Sequence, residues 1–277
     1  MNLSRGLLLA VLSWCLFSGA SYWMRDKPRL DAEAEFLRVR LPLLVQLAYS
    51  GGDGYLAANT NVFRSIMVGV NVTEPETYRV QAQLQVDAAH FNPWHEDNYY
   101  LSAAILPWNG RVEEAQLILH RAAQSRQWDM WPAFYYAFNA MYFERDMARA
   151  GQWAEIAATR HPRNAPALRA MAAAWYERGD DPRVAMQILE DMYAGSQDKS
   201  FRDLLAARYR RLQGLLALRE AAIAYRALHG SSAQQLEQLV GHAGLKELPA
   251  DPLGLGYVLD ADGDVQLADH VTRTKRQ

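Results

Sequence analysis

Asp260-Ala261-Asp262-Gly263-Asp264 sets three carboxylates at alternate positions around a glycine, as at the opening of a calcium loop. The twelfth position of such a loop needs a bidentate glutamate and here is Val271, so the segment reads as a plain turn. His90 and His95 flank Asn92-Pro93-Trp94, but their spacing across a proline does not put two imidazoles on one helix face, and no third ligand accompanies them. They read as surface or capping histidines. Glu113-Glu114 follows Gly110 at the start of a predicted helix, where carboxylates stabilise the positive end of the dipole. A glycosidase-like acid/base pair needs a second, opposed carboxylate, which the sequence does not identify. Gly51-Gly52-Asp53-Gly54 lacks the Gly-Lys-Ser/Thr of a phosphate loop, and Gly-x-Ser-x-Gly, His-Glu-x-x-His and dinucleotide fingerprints are absent. The chain therefore reads as not an enzyme, with no catalytic residue, metal ligand or cofactor assigned.

Aromatic residues are the better lead. Trp94 to Phe143 is dense in Trp, Tyr and Phe, most of which are expected to fill helix seams. Tyr99, Trp131, Tyr135 and Tyr142, with Arg145 and Arg149, are the expected partner-binding residues: ring anchors and polar clamps for an extended peptide or a partner helix. Charge supports a protein partner over nucleic acid. The 277 residues carry 29 basic and 31 acidic groups, net −2, which leaves no basic field to neutralise a run of phosphates. A single cysteine excludes an intrachain disulfide and a Cys-based zinc site.

Gly6 to Met24 is nineteen uncharged residues, ~28 Å of helix and about one bilayer core, with Tyr22 and Trp23 beside Arg25 as interfacial anchors. It is expected to be a single-pass signal anchor in the inner membrane; a signal peptide cut after Ser18-Gly19-Ala20 is the alternative. Cys15 follows the bulky Trp14 and reads as a small hydrophobe in that helix, not as a lipid attachment site. Arg25, Lys27 and Arg29 after the span outweigh Arg5 before it, which argues for a cytoplasmic body. The short n-region, apolar stretch and cleavage-like site argue for export, and a periplasmic body is the expectation.

From Leu30 on, Gly and Pro fall between helix-length segments and β-branched runs are scarce, so the body is expected to be all-α. Five regions follow: 1–29, anchor and flank; 30–72, N-terminal helices; 73–199, repeats; 200–244, capping helices; 245–277, a Pro/Gly-rich tail. Helices are predicted over Asp31 to Ser50, broken at Pro42, and over Tyr55 to Val68. Thr73 with Glu76 forms a capping box for a third; Asn71-Val72-Thr73 also matches a glycosylation acceptor, but the cap explains Thr73 more economically. Ser200 with Asp203 opens a long helix ending at His229-Gly230, and Ser231/Ser232 start a short one through Leu236, Leu239 and Val240 to Gly244. Tyr257-Val258-Leu259 and Val265-Gln266-Leu267 bracket Asp262-Gly263 as a hairpin.

An internal period runs through the centre. Ala115, Ala150 and Ala185 are 35 residues apart, as are Leu119, Ala154 and Leu189; Ile118, Trp153 and Ile188; and Ile105, Ala140 and Trp175. Ala103, Gly110, Ala115 and Ala122, then Ala150, Ala157 and Pro162, then Ala173 and Ala185, stand where a helix pair keeps its small and closing residues, and Ala88 with Pro93 closes an earlier, degenerate unit. Over roughly Thr73 to Tyr193 the chain resembles the tetratricopeptide repeat (TPR) family, whose antiparallel helix pairs stack into an α-solenoid. Small residues there let crossing helices approach. Phe138 at a small-residue position, Arg145 at the turn glycine and an extra residue near Asp180-Asp181-Pro182 depart from the pattern. Separately, Leu248-Pro249-Ala250-Asp251-Pro252-Leu253-Gly254-Leu255-Gly256-Tyr257 resembles the Leu-Pro-x-Asp-Pro-x-Gly-x-x-Tyr element of type II secretion pseudopilins. The resemblances imply a membrane-tethered TPR-like scaffold or adaptor in a cell-envelope assembly, of secretion or pilus type. The alternatives are a glycan- or peptidoglycan-binding envelope protein and an enzyme with an acidic groove.

Overall fold

A computed structural model of the chain describes residues 3–25, 39–69 and 75–268, with side chains over 11–22, 39–68 and 76–268. The cap at Thr73, the acceptor at Asn71, residues 31–38 of the first expected body helix, the flanking Lys27 and Arg29, and Val271 lie outside them. The described chain is all-α apart from one hairpin. Helix α1 spans Leu3–Arg25. Among the described residues no helix is long and apolar enough to cross a membrane. Side chains of the expected span 6–24 are described only over 11–22, ~18 Å of helix against a core of ~30 Å.

The body begins with α2 (Leu43–Tyr49), which starts after Pro42 and leaves 39–42 extended. Gly51 and Gly52 turn the chain through positive φ (64° and 86°) into α3 (Gly54–Gly69), which packs on α4 (Pro75–Phe91). Next come α5 (Glu96–Ile105), a 3-10 turn (Pro107–Asn109), α6 (Val112–Ser125), α7 (Trp131–Tyr142), α8 (Met147–Arg160), α9 (Ala165–Glu177) and α10 (Pro182–Gly195), each α-helix packed on the next. Helices α6, α8 and α10 start at 112, 147 and 182 and end at 125, 160 and 195, so their boundaries recur every 35 residues.

Small side chains sit at the close approaches. Ala115, Ala122, Ala150, Ala157, Ala173 and Ala185 are all buried, while Ala103 is only partly so. Gly151 lies under the ring of Tyr176 from α9, where an added Cβ would fall 2.5 Å from Cε1. The turn before α6 uses Gly110 at φ 73°; the equivalent turn before α8 places Arg145 at φ 60°, a left-handed conformation that costs an L-residue roughly 1–2 kcal/mol.

Helix α11 (Lys199–His229) closes the body. Its cap is Asp198, whose carboxylate accepts from Phe201 N at 3.1 Å, not Ser200; the N-terminus starts two residues earlier than expected. Gly230 ends it at φ 68°. The short helix expected over 231–244 is only a 3-10 turn (Leu236–Leu239), because Gly241, Ala243 and Gly244 all take positive φ and stop propagation; the fully buried Leu239 pins it. Strands β1 (Tyr257–Leu259) and β2 (Val265–Leu267) pair antiparallel, Tyr257 opposite Leu267, and β2 packs on α11.

The tail is fastened by a buried ionic lock. Asp251 accepts from the amides of Leu253, Leu255 and Gly256 and from Arg211 Nε at 2.9 Å. Arg211 also reaches Glu177 at 3.4 Å and the carbonyls of Gly256 and Ala268, while Arg208 pairs with Glu177. Tyr257 donates to Arg211 O at 3.0 Å, its hydroxyl lying where a Cβ on Gly214 would be. Thus Asp251, Gly256 and Tyr257 of the Leu-Pro-x-Asp-Pro segment each hold the tail against α11. Burial pushes the Glu177 carboxyl up, against the pull of Arg208 and Arg211.

Candidate functional site

Helix α7 positions the aromatic lead. Asp129 Oδ1 accepts from Trp131 N at 3.0 Å and Pro132 occupies the first turn, so the helix starts sharply at Trp131. Trp131, Tyr135, Phe138 and Tyr142 then follow at steps of four, three and four residues, which places them on one face. Their rings stack in two pairs: Trp131 on Tyr135 (5.6 Å, 24°) and Phe138 on Tyr142 (5.6 Å, 9°). Trp131 and Tyr142 are 39% and 43% exposed, with Tyr135 and Phe138 half-buried between them.

Neighbouring rings widen this strip. Tyr100 of α5 meets Tyr135 edge-on at 5.8 Å, and the exposed Trp108 contacts Tyr142 at 5.3 Å and Phe143 at 5.0 Å. Arg145 lies 6.0 Å from the Tyr142 ring centroid, an exposed cation at the strip's C-terminal end. Burial, then Tyr100 and Asp129, raise the Tyr135 phenol, which stays a neutral donor.

Two of the expected binding residues serve elsewhere. Tyr99 is 1% exposed, because its ring packs in the α4–α6 core while its hydroxyl donates to Asp129 Oδ2 at 2.6 Å; it is structural, not a surface anchor. The same carboxylate accepts from Arg126 Nε at 3.0 Å, and Arg126 also reaches Glu96 and Trp94 O, tying α5 to the α6–α7 turn. Arg149 is likewise committed within the chain, its guanidinium on Asp146 at 2.9 Å and Glu144 at 3.5 Å. Asp146 caps α8 through Arg149 N, and that amide together with the Arg149 guanidinium holds the carboxyl below its usual value. The strip therefore keeps Trp131, Tyr135, Tyr142 and Arg145 and gains Tyr100, Trp108 and Phe138.

The chain matches no family model, no curated protein and no solved structure.

The remaining chemistry-bearing residues have local duties. His95 caps α5 by accepting from Asn98 N at 3.4 Å, and burial lowers its pKa against the opposing effect of Asp97. His90 lies 3.4 Å from Arg121. Among the described residues no group of three or more His, Cys, Asp or Glu is placed to hold a metal. The Asp260 carboxylate accepts from the amides of Asp262 (3.0 Å) and Asp264 (2.9 Å) and from Gln266, which makes the loop a self-capped turn.

One apolar groove escaped sequence reading. Leu189, Tyr193, Leu205 and Tyr209 line about 420 Å³ between α10 and α11, with Arg202 4.2 Å from the Tyr193 ring centroid. Its signal was present as Tyr193 near the end of α10 and Tyr209 within α11, but the periodic pattern stops at α10 and gives no partner for them.

Proposed function

We propose that the chain is a non-enzymatic, membrane-tethered TPR-like scaffold that binds protein segments along the aromatic face of α7, in a cell-envelope assembly with the body in the periplasm. The observation that carries this reading is the α7 strip: four rings on one face, with outer rings open to solvent, on a helix whose neighbours recur every 35 residues. Half-exposed Trp and Tyr beside an uncommitted Arg are the residue types that anchor interfaces. The tether rests on the uncharged run from Gly6 to Met24. A glycan strand is the second reading, favoured by the near-parallel, stacked Phe138 and Tyr142 rings, of which that of the exposed Tyr142 is open to a sugar.

Photo-crosslinkers placed at Trp131 and Tyr142 of the full chain in cells, against Gln152 on the exposed side of α8 as control, test it. The expected result is a discrete protein adduct from the α7 positions alone, the Tyr142 adduct being lost when Trp131→Ala and Tyr135→Ala are combined while helicity and thermal melting stay near wild type. Parallel loss of capture and melting temperature assigns the rings to packing and sinks the reading. Adducts to glycan without protein favour the second. Protease attack on the body in spheroplasts separates the periplasmic from the cytoplasmic arrangement.

A further inference from the structure

Helix α3 is apolar on both faces: inward it buries Ala57, Ala58, Val62 and Val68 beside two polar side chains. Asn61 and Ser65 point inward and are buried with Gln46, Gln81, Gln85 and Asp87. Gln46 donates to Asp87 and Asn61 to Gln46, while Gln81 and Gln85 donate to Ser65. Outward, Leu56, Phe63 and Met67 share the opposite face at steps of seven and four residues and are exposed, Phe63 at 65%. On α2, Leu44 and Tyr49 are exposed as well, at 81% and 82%. Large apolar side chains exposed in this number mark a contact site.

Two features say what covers it. First, only residues 26–42 separate α1 from α2, and seventeen residues span at most ~60 Å, so a membrane holding α1 lies no farther than that from the start of α2. Second, the charged side chains described beside the face balance, Asp53 and Asp87 against Arg40 and Arg64, so no excess of negative charge repels a headgroup layer. The carboxylate of Asp53 is spent on the amides of Tyr55 and Leu56, and that of Asp87 on Arg40 and Gln46 beneath the surface. Arg40, 44% exposed, is spent on Asp87, and Arg64, which reaches Val39 O, is the other cation at the rim. Aromatic and aliphatic side chains outside, with guanidiniums at the edge, form an interfacial surface.

We propose that the exposed face of α2 and α3 is a second membrane contact, seating the N-terminal end of the body at the boundary between headgroups and acyl chains. This rests on the tether read for α1, and a labelling experiment separates the two. Full-length protein is reconstituted into vesicles of phosphatidylcholine with phosphatidylglycerol. A nitroxide is placed on native Cys15, or, in a Cys15→Ala background, at Phe63→Cys or Gln152→Cys. Accessibility to oxygen and to a water-soluble nickel chelate is then measured. The expected result is an oxygen-to-nickel ratio several-fold higher at 63 than at 152, falling to the value at 152 when Leu44→Glu and Tyr49→Glu are added. Equal ratios at 63 and 152 with Cys15 in lipid overturn the contact and leave the tether standing. A water-accessible Cys15 label sinks the tether and the contact with it. Spin–spin broadening between labels at 63 assigns the face to a second copy and also overturns the proposal.

Discussion

At the C-terminal end of the body α11 turns Leu212, Leu215 and Leu218 inward against Leu189, Leu239 and Val265, whereas at the N-terminal end α3 turns Asn61 and Ser65 inward among small apolar residues, Ala58 and Val62, and leaves Phe63 and Met67 outside. Both ends bury polar groups, mainly ionic at one and mainly amide at the other. The C-terminal lock gathers Glu177, Arg208, Arg211 and Asp251 so that charge meets charge inside an aliphatic shell. In the N-terminal interior, Thr77 Oγ1, Gln81 Oε1, Gln85 Oε1 and Asn98 Oδ1 are buried without a partner, as are Arg202 Nε, Arg208 Nε and His242 Nδ1 at the other end. An end that closes a helical stack must be stable in water by itself; an end that lies on another surface gains by presenting apolar side chains to it. The difference is the one expected if the N-terminal end lies on the membrane contact proposed above.

The sharpest way to break this contrast is Arg211→Met. Removing the guanidinium leaves Glu177 and Asp251 facing a buried thioether, and breaking a buried pair from one side costs about 3–5 kcal/mol. Urea denaturation of the full chain measures it, together with earlier proteolysis after Leu248 as the tail loosens. A loss below about 1 kcal/mol would mean the lock is not what fastens the C-terminal end.

Between the two ends, Ala115→Leu tests the repeat core. Ala115 is fully buried with Ala89, Leu106 and Leu119 in the cluster shared by α4, α5 and α6, so three further carbons overpack the crossing at about 1–3 kcal/mol. A neutral result in the same denaturation assay would show that the helices slide apart freely and that the 35-residue register does not constrain them.

The sequence made this central region legible because its signal is local and periodic: one alanine per 35 residues at 115, 150 and 185 marks three crossings, and the helix boundaries follow. The hairpin was equally legible, since Asp262-Gly263 between two short apolar runs admits few structures. Other features depend on distance. Tyr99 looked like its neighbours on the α5 surface, and only the approach of Asp129, thirty residues away, makes it core. Arg149 looked like a clamp until Glu144 and Asp146 folded back on it. The lock joins positions 177, 211 and 251 across three elements, and no spacing rule connects them. The exposed apolar face of α3 was hidden for a different reason: a helix with apolar residues on both faces does not say which of them is inside.

Gln85→Leu probes the polar end directly. Its amide makes one long bond to Ser65 Oγ at 3.4 Å and leaves Oε1 unpartnered, so a leucine of similar volume removes an uncompensated acceptor at little loss. Since an unsatisfied buried group costs about 1–3 kcal/mol, the variant is expected to be neutral or up to about 1 kcal/mol more stable. Leu212→Ala at the other end, a plain cavity in the aliphatic shell, should cost about 2–5 kcal/mol in the same assay. If Gln85→Leu destabilises as much as Leu212→Ala, the two interiors are equally well packed and the contrast fails.

The smallest expected effect is a pH dependence that belongs to the N-terminal half. His95 accepts from Asn98 N as the cap of α5, which requires a neutral Nδ1, and burial lowers its folded pKa below the ordinary 6.5 while Asp97 opposes the shift. Because the folded form binds its proton later than the unfolded chain, the cap's contribution is fully present above pH 6.5 and is lost as pH falls through the lowered folded value. A side-chain cap of this kind is worth about 1 kcal/mol or less. Asparagine caps as well and does not titrate, so His95→Asn should match wild type near neutrality and become the more stable protein below the folded pKa. Denaturation midpoints at several pH values, taken as the difference between the two proteins, remove the other six histidines from the comparison. A constant difference across that range would show that α5 does not depend on His95 as its cap. The start of the repeat core would then be held by the Asn98 contact to Gln85 O on α4 instead.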